Sequence, residues 1–230
     1  MKPGTLFKIY ILSALVYLPM LVFAEDWAWF AKPLLLPSIV AAVANSGHFP
    51  TRRLLVWALL FSWFGDMVLM FADKGESYFI VGLVLFLTAH ILYIVLFVRQ
   101  THRWSFSGLF WLGLLAVAAY LIGMLYVLYP TLGGLKIPVT VYAVVISAML
   151  LAAFHGSLAW EHRGKLYMLS GAVCFVLSDS LLALNKFKVP LPQASFWIMA
   201  TYLAAQLLIA YGVLSLNKKQ QAVAAPAAFS

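Results

Sequence analysis

Acidic residues are scarce in this 230-residue chain: seven Asp and Glu stand against fifteen Lys and Arg. Charged residues of both signs make up 10% of the sequence, whereas a soluble domain carries roughly a quarter. That deficit excludes a water-facing globular surface. There is one cysteine, Cys174, so no intramolecular disulfide can form, and its place in an apolar run marks it as a small core residue. No P-loop, dinucleotide fingerprint, HExxH or paired-cysteine spacing is present, which removes the nucleotide-dependent and zinc-dependent classes those motifs define. Soluble enzymes and DNA-binding modules are excluded. No nucleic-acid partner, metal or cofactor is expected.

What the chain has instead is apolar sequence. Hydrophobic residues make up 65% of it, and mean hydropathy is +0.99. A bilayer core about 30 Å thick takes about 20 helical residues to cross. Eight stretches qualify, at about residues 5–23, 30–46, 54–71, 78–98, 106–128, 136–155, 165–184 and 194–215. Turn and capping residues separate most of them, among them Asn45-Ser46-Gly47, Asp73-Lys74-Gly75, Gly133-Gly134 and Pro190 with Pro192. The expected fold class is all-α, a polytopic transmembrane bundle of about eight helices. It forms a single domain over residues 1–217, followed by a disordered, Ala-rich tail over 218–230. Lys2 and Lys8 ahead of a run ending Val22-Phe23-Ala24 also resemble a signal peptide, but Pro19 and the bulky flanks favour a retained helix.

The net charge of +8 lies in the connections, in pairs such as Arg52-Arg53 and Lys218-Lys219. With the N-terminus inside, the inner side holds ten basic residues: Lys2, Lys8, Arg52, Arg53, Arg99, Arg103, Arg163, Lys165, Lys218 and Lys219. The outer side holds five, namely Lys32, Lys74, Lys136, Lys186 and Lys188, and no arginine. Basic residues resist translocation, so both termini are expected in the cytoplasm.

Five acids, Glu25, Asp26, Asp73, Glu76 and Glu161, fall in loops or at membrane edges. Asp66 and Asp179 fall inside predicted helices, where an uncompensated charge is costly and ionisable groups mark function by default. Each lies about five residues, roughly 8 Å, from the outer end of its predicted helix, so both are expected in one cavity. The plain alternative is a helix-bridging hydrogen bond or a buried ion pair. Lys32 opens the second helix beside Pro33 and reads either as a ligand or as a snorkelling lysine. His90 and Tyr93 share one helix face, as do Tyr202 and Gln206, and inter-helix hydrogen bonding would explain both pairs equally well. Ser178 and Ser180 flank Asp179 and could hold it ionised, leaving Asp66 as the better proton donor. His155 is expected at an inner interface, and His48, His102 and His162 in loops. Asp66, Asp179 and His90 could supply metal ligands, but nothing in their spacing requires a metal. The halves echo each other weakly, Lys32-Pro33 with Lys136-Ile137-Pro138 and Asp66 with Asp179, as a parallel repeat of four helices would.

At these residues the sequence resembles the YhhN family, the integral-membrane lysoplasmalogenases. The resemblance lies in Lys32-Pro33-Leu34, Gly65-Asp66, Phe79-x-x-Gly82 leading to His90-x-x-Tyr93, Gly171-Ala172 through Phe175 to Ser178-Asp179, and Tyr202 with Gln206. It implies hydrolysis of the vinyl-ether bond of a lysoplasmalogen to a fatty aldehyde and a glycerophospho-alcohol. A lysophospholipid substrate, water and membrane lipid would then be the partners. Such a reaction starts with protonation of the alkenyl β-carbon and proceeds through an oxocarbenium ion, calling for one carboxylic acid and one carboxylate as in glycoside hydrolases. Asp66 and Asp179 are the catalytic candidates. Lys32, His90, Tyr93, Ser178, Tyr202 and Gln206 are the substrate-binding candidates. The competing reading is a small transporter or channel using the two aspartates as a proton or cation relay, though no Gly/Pro-broken helix pair lies at midplane. A purely structural role leaves two buried acids unexplained.

Overall fold

The structure is a computed structural model that describes residues 2–101, 106–160 and 164–224, with side chains described to residue 217. Arg103, His102, Glu161, His162, Arg163 and the last six residues of the tail lie outside the described residues, as do the side chains of Lys218 and Lys219.

A chain that cannot satisfy its backbone with water must do so internally, and a helix does this within one segment. Nine α-helices follow in order among the described residues: α1 (Pro3–Phe23), α2 (Glu25–Ala31), α3 (Leu35–Ala44), α4 (Arg52–Leu69), α5 (Glu76–Gln100), α6 (Gly108–Leu128), α7 (Lys136–Ala159), α8 (Gly164–Phe187) and α9 (Ala194–Ala224). A 3₁₀ turn at Lys32–Leu34 joins α2 to α3, so they form one broken rod and the bundle has eight rods. Seven rods are long and apolar enough to cross a membrane, and the chain is an integral membrane protein. The eighth, α4, carries Arg52, Arg53 and Asp66 within its eighteen residues, which lowers its hydrophobicity without shortening it.

Two helix boundaries differ from expectation for visible reasons. The second rod starts at Glu25 rather than 30, because Glu25 and Asp26 sit in the first turn of α2, where carboxylates suit the unpaired N–H groups. α8 runs to Phe187, three residues past the predicted 184, and ends in Lys186 near the negative end of its dipole.

Polarity is arranged inside-out. Leu12, Leu115 and Ile122 are each more than 60% exposed, as lipid-facing residues are, while Ser62, His90 and Gln206 are wholly buried. His155 is buried too, its ring edge-on to Phe110 at 5.2 Å. The pair α8–α9 is held at backbone contact by glycine. A Cβ on Gly171 would lie 2.9 Å from Ile209 N and 3.0 Å from Ala205 O, and one on Gly212 would lie 2.9 Å from Met168 N. On the other side of the bundle, a Cβ on Gly65 of α4 would lie 2.7 Å from the Phe86 ring of α5. Small residues at these points let helices approach where lipid offers no hydrophobic drive. The two close pairs therefore set how near the residues of α4 and α8 come to their neighbours.

Candidate active site

Lys32 is placed by two prolines. Pro37 has no N–H to give the carbonyl of Pro33 one turn earlier, so the helix cannot close there and passes through the 3₁₀ turn. The orphaned Pro33 carbonyl accepts instead from the Trp63 indole N–H of α4, at 2.9 Å. That bond ties the broken rod to α4 one turn from Asp66. Lys32 is half-buried and lines the same cavity as Asp66, without forming an ion pair with either aspartate.

Asp66 and Asp179 both open on a cavity of about 490 Å³. Tyr17, Lys32, Tyr142, Ser178 and Tyr202 complete its polar wall; Leu69, Phe79, Leu83, Phe86, Val139, Leu182 and Phe187 give it an apolar limb. Asp73, Lys186 and Ser195, all exposed, form its rim with the half-buried Asn185.

The two carboxyls are held differently. Asp66 is 5% exposed and accepts one protein hydrogen bond, from the Tyr202 hydroxyl at 2.7 Å. Asp179 accepts two at a single oxygen, Oδ2. One comes from the Tyr142 hydroxyl; the other comes from His90 Nε2 at 3.2 Å. His90 Nε2 also lies 2.9 Å from the Tyr142 oxygen. Its Nδ1 is buried with no protein partner, so the Nε2–H tautomer is the one that strands a bare lone pair rather than a donor. Asp179 thus has the donor set of a carboxylate, and Asp66 has room to carry a proton.

Of the predicted site residues, Lys32, Asp66, Ser178, Asp179 and Tyr202 line the cavity. His90 does not line it and reaches it through Asp179 and Tyr142. Tyr93 and Gln206 do not line it; beneath it the Tyr93 hydroxyl donates to Gln206 Oε1 at 2.6 Å, both residues fully buried. The expected role of the serines is corrected. Ser178 donates to the Ile198 carbonyl at 3.0 Å, while Ser180 bonds the Val176 carbonyl and Tyr120, so neither steadies Asp179. Helical serines have their own or a neighbouring backbone carbonyl within reach. Tyr142 and Tyr17 were missed by sequence reasoning. Eleven tyrosines lie in this chain, many at positions where a membrane-interface tyrosine is ordinary, so neither stood out. Among the described residues no three His, Cys, Asp or Glu side chains converge as metal ligands.

A bundle with lipid-facing apolar surfaces and a polar interior, opening one buried and one partly buried carboxyl on a cavity with an apolar limb, defines a polytopic membrane protein with a two-carboxyl cavity. More particularly, the chain belongs to the YhhN family, whose family model matches residues 27–213. It is similar to human lysoplasmalogenase TMEM86B, at 34% identity over 89% of this chain and 84% of the relative. It is also similar to bovine lysoplasmalogenase TMEM86A, at 37% identity over 70% and 65%. The lysoplasmalogenase of Mycobacterium bovis is 33% identical over 76% and 66%. No solved structure matches the chain.

Proposed function

We propose that this protein is a lysoplasmalogenase, a membrane hydrolase that cleaves the vinyl-ether bond of an alkenyl lysophospholipid. One observation carries the reading: two unlike carboxyls, one with a single donor and one with two, share a cavity whose apolar limb suits an alkenyl chain. The names of the relatives support the substrate class.

In this mechanism Asp66 is the acid. It transfers its proton to the alkenyl β-carbon, forming a C–H bond while the double-bond electrons leave an oxocarbenium ion at the α-carbon. Asp179, ionised and held by Tyr142 and His90, stabilises that cation and takes a proton from the attacking water. The resulting hemiacetal collapses: Asp179 passes its newly gained proton to the glycerol oxygen as that C–O bond breaks, and the hemiacetal hydroxyl gives its proton to Asp66, which restores both carboxyls. The products are a fatty aldehyde and a glycerophospho-alcohol, and no redox partner is consumed. Lys32 presents a positive charge to the cavity and meets the phosphate. Tyr202 keeps Asp66 aimed, while Tyr93 and Gln206 brace α5 against α9 below it. The protein lies in the cell membrane with both termini cytoplasmic, which puts the cavity in the outer half of the bilayer.

The test is aldehyde release from a lysoplasmalogen by detergent-purified protein, with no gradient across any membrane. Wild type should turn over. Asp66→Asn and Asp179→Asn should each lose at least about a hundredfold in kcat, within the usual range for a proton-transferring group. The double variant should lose far less than the product of the two, because the groups act as a unit. Single variants that elute as wild type on gel filtration and keep near-wild-type turnover would remove both residues from the chemistry.

A further inference from the structure

The rim of the cavity holds two opposite charges that the mechanism above does not use. Lys186 lies seven residues beyond Asp179 on α8, so it shares Asp179's helix face and stands about 10 Å nearer the surface. Asp73 lies seven residues beyond Asp66, in the 3₁₀ turn that follows α4. Both line the cavity and both are exposed. Neither forms an ion pair; the single ion pair among the described residues is that of His90 with Asp179. Lys186 Nζ rests 4.9 Å from the centre of the Phe79 ring, and Phe79 is itself part of the cavity wall. Lys74 and Lys136 rest likewise on Phe71 and Tyr129, neither of which faces the cavity, so Lys186 alone of the three is directed to it.

We infer that Asp73 and Lys186 form a headgroup subsite for a zwitterionic aminoalkyl phosphate. Lys186 takes the phosphate together with Lys32, and Asp73 takes the cationic amine. The span fits. From the ether oxygen of an alkenyl glycerophosphoethanolamine to its nitrogen there are nine bonds, and an extended chain advances a little over 1 Å per bond, giving about 10 Å. A lipid with its vinyl ether between Asp66 and Asp179 therefore brings its amine to the level of the rim. The charges are complementary in order as well: a zwitterion satisfies an unpaired cation and an unpaired anion at once, whereas an uncharged glycerol headgroup satisfies neither. This inference rests on the proposed reading of the cavity as a lysophospholipid site.

Binding separates the two claims, because saturated alkyl ethers have no double bond to protonate. Three such ligands in detergent micelles serve as probes: 1-alkyl-glycerophosphoethanolamine, 1-alkyl-glycerol-3-phosphate and 1-alkylglycerol. Affinity is read by calorimetry for wild type, Asp73→Asn and Lys186→Met; both side chains are exposed and make no protein hydrogen bond, so the variants should fold. Asp73→Asn should weaken the phosphoethanolamine ligand about fivefold or more and leave the other two unchanged, since a charge-assisted contact is worth that much or more. Lys186→Met should weaken both phosphate ligands by a similar factor and spare 1-alkylglycerol. Variants that bind all three ligands as wild type does, or lose all three equally, overturn the subsite, as does a wild type that binds none. Parallel turnover of the alkenyl substrate tests the reaction itself. The predicted binding pattern without aldehyde release would overturn the catalytic reading and leave the subsite standing.

Discussion

At Asp179 one carboxylate oxygen receives both protein donors, the Tyr142 hydroxyl and His90 Nε2, and the other is left to the cavity. That division fixes the carboxylate's direction while keeping one lone-pair face for water or a cation. If Tyr142 works through Asp179, Tyr142→Phe should lower kcat about tenfold to a hundredfold with KM little changed, since a hydrogen bond to a charged group contributes about 1.5–3 kcal/mol. The decisive reading is the double variant. In an Asp179→Asn background the added Tyr142→Phe should cost almost nothing, and a further full-sized loss in steady-state kcat would show that Tyr142 acts independently. The aspartates were legible in the sequence because a charge in an apolar run has a free-energy cost that demands a cause. Tyr142 was not, because a tyrosine in such a run has no comparable cost. The donors to Asp179 are also remote in sequence, from α5 and α7, whereas the neighbouring serines satisfied themselves on backbone carbonyls.

Among the elements, the eight rods were legible from length and hydropathy, since bilayer thickness sets both. Their breaks and close pairs were legible only in part. The sequence reads Pro33 as a residue that opens the second helix; that the rod instead breaks there, its freed carbonyl capped by Trp63, depends on α4 arriving there. The weak echo between the halves has a counterpart in how the site is wired. Asp66 on the third rod is bonded from the eighth by Tyr202, Asp179 on the seventh is bonded from the fourth by His90, and Tyr93 joins the fourth rod to the eighth. Each acid therefore takes a hydrogen bond from the other half of the chain, Asp179 taking a second from Tyr142 in its own half, and the distance between α8 and α9 matters to both. Gly171→Val should force those backbones apart, because even a Cβ there would meet Ile209 N and Ala205 O at 3.0 Å or less. We expect a destabilisation of about 1–3 kcal/mol, typical of overpacking, seen as a lower detergent unfolding temperature together with lost turnover. Gly123→Val on α6 is the control, since a Cβ there meets nothing within 4 Å. Equal loss in both variants would mean that valine harms any helix of this bundle and that the α8–α9 contact has no special role.

For the whole molecule, the two ends of the bundle differ in charge. Arg52 and Arg53 begin α4, Arg99 lies in the last turn of α5 and Lys165 in the first turn of α8, all at the end away from the cavity rim. The rim end carries Asp73, Lys74, Glu76, Lys136 and Lys186, a mixed set without arginine. Basic residues in short loops are retained on the cytoplasmic side, so the proposed orientation, with both termini inside, has the rim outside and the outer leaflet as the source of the substrate. A lysolipid entering from the outer leaflet has its headgroup at the rim and its chain pointing inward, so the charged mouth above an apolar limb agrees with that orientation. With one native cysteine, labelling of intact cells can test it. In a Cys174→Ser background, Arg53→Cys places one thiol at an exposed position in the first turn of α4, and Lys74→Cys places one at an exposed position in the 3₁₀ turn beyond its far end. A membrane-impermeant maleimide should label Lys74→Cys in intact cells and Arg53→Cys only after lysis. The reverse pattern would turn the bundle over, move the aspartates to the cytoplasmic half of the membrane, and require the inner leaflet to supply the lipid.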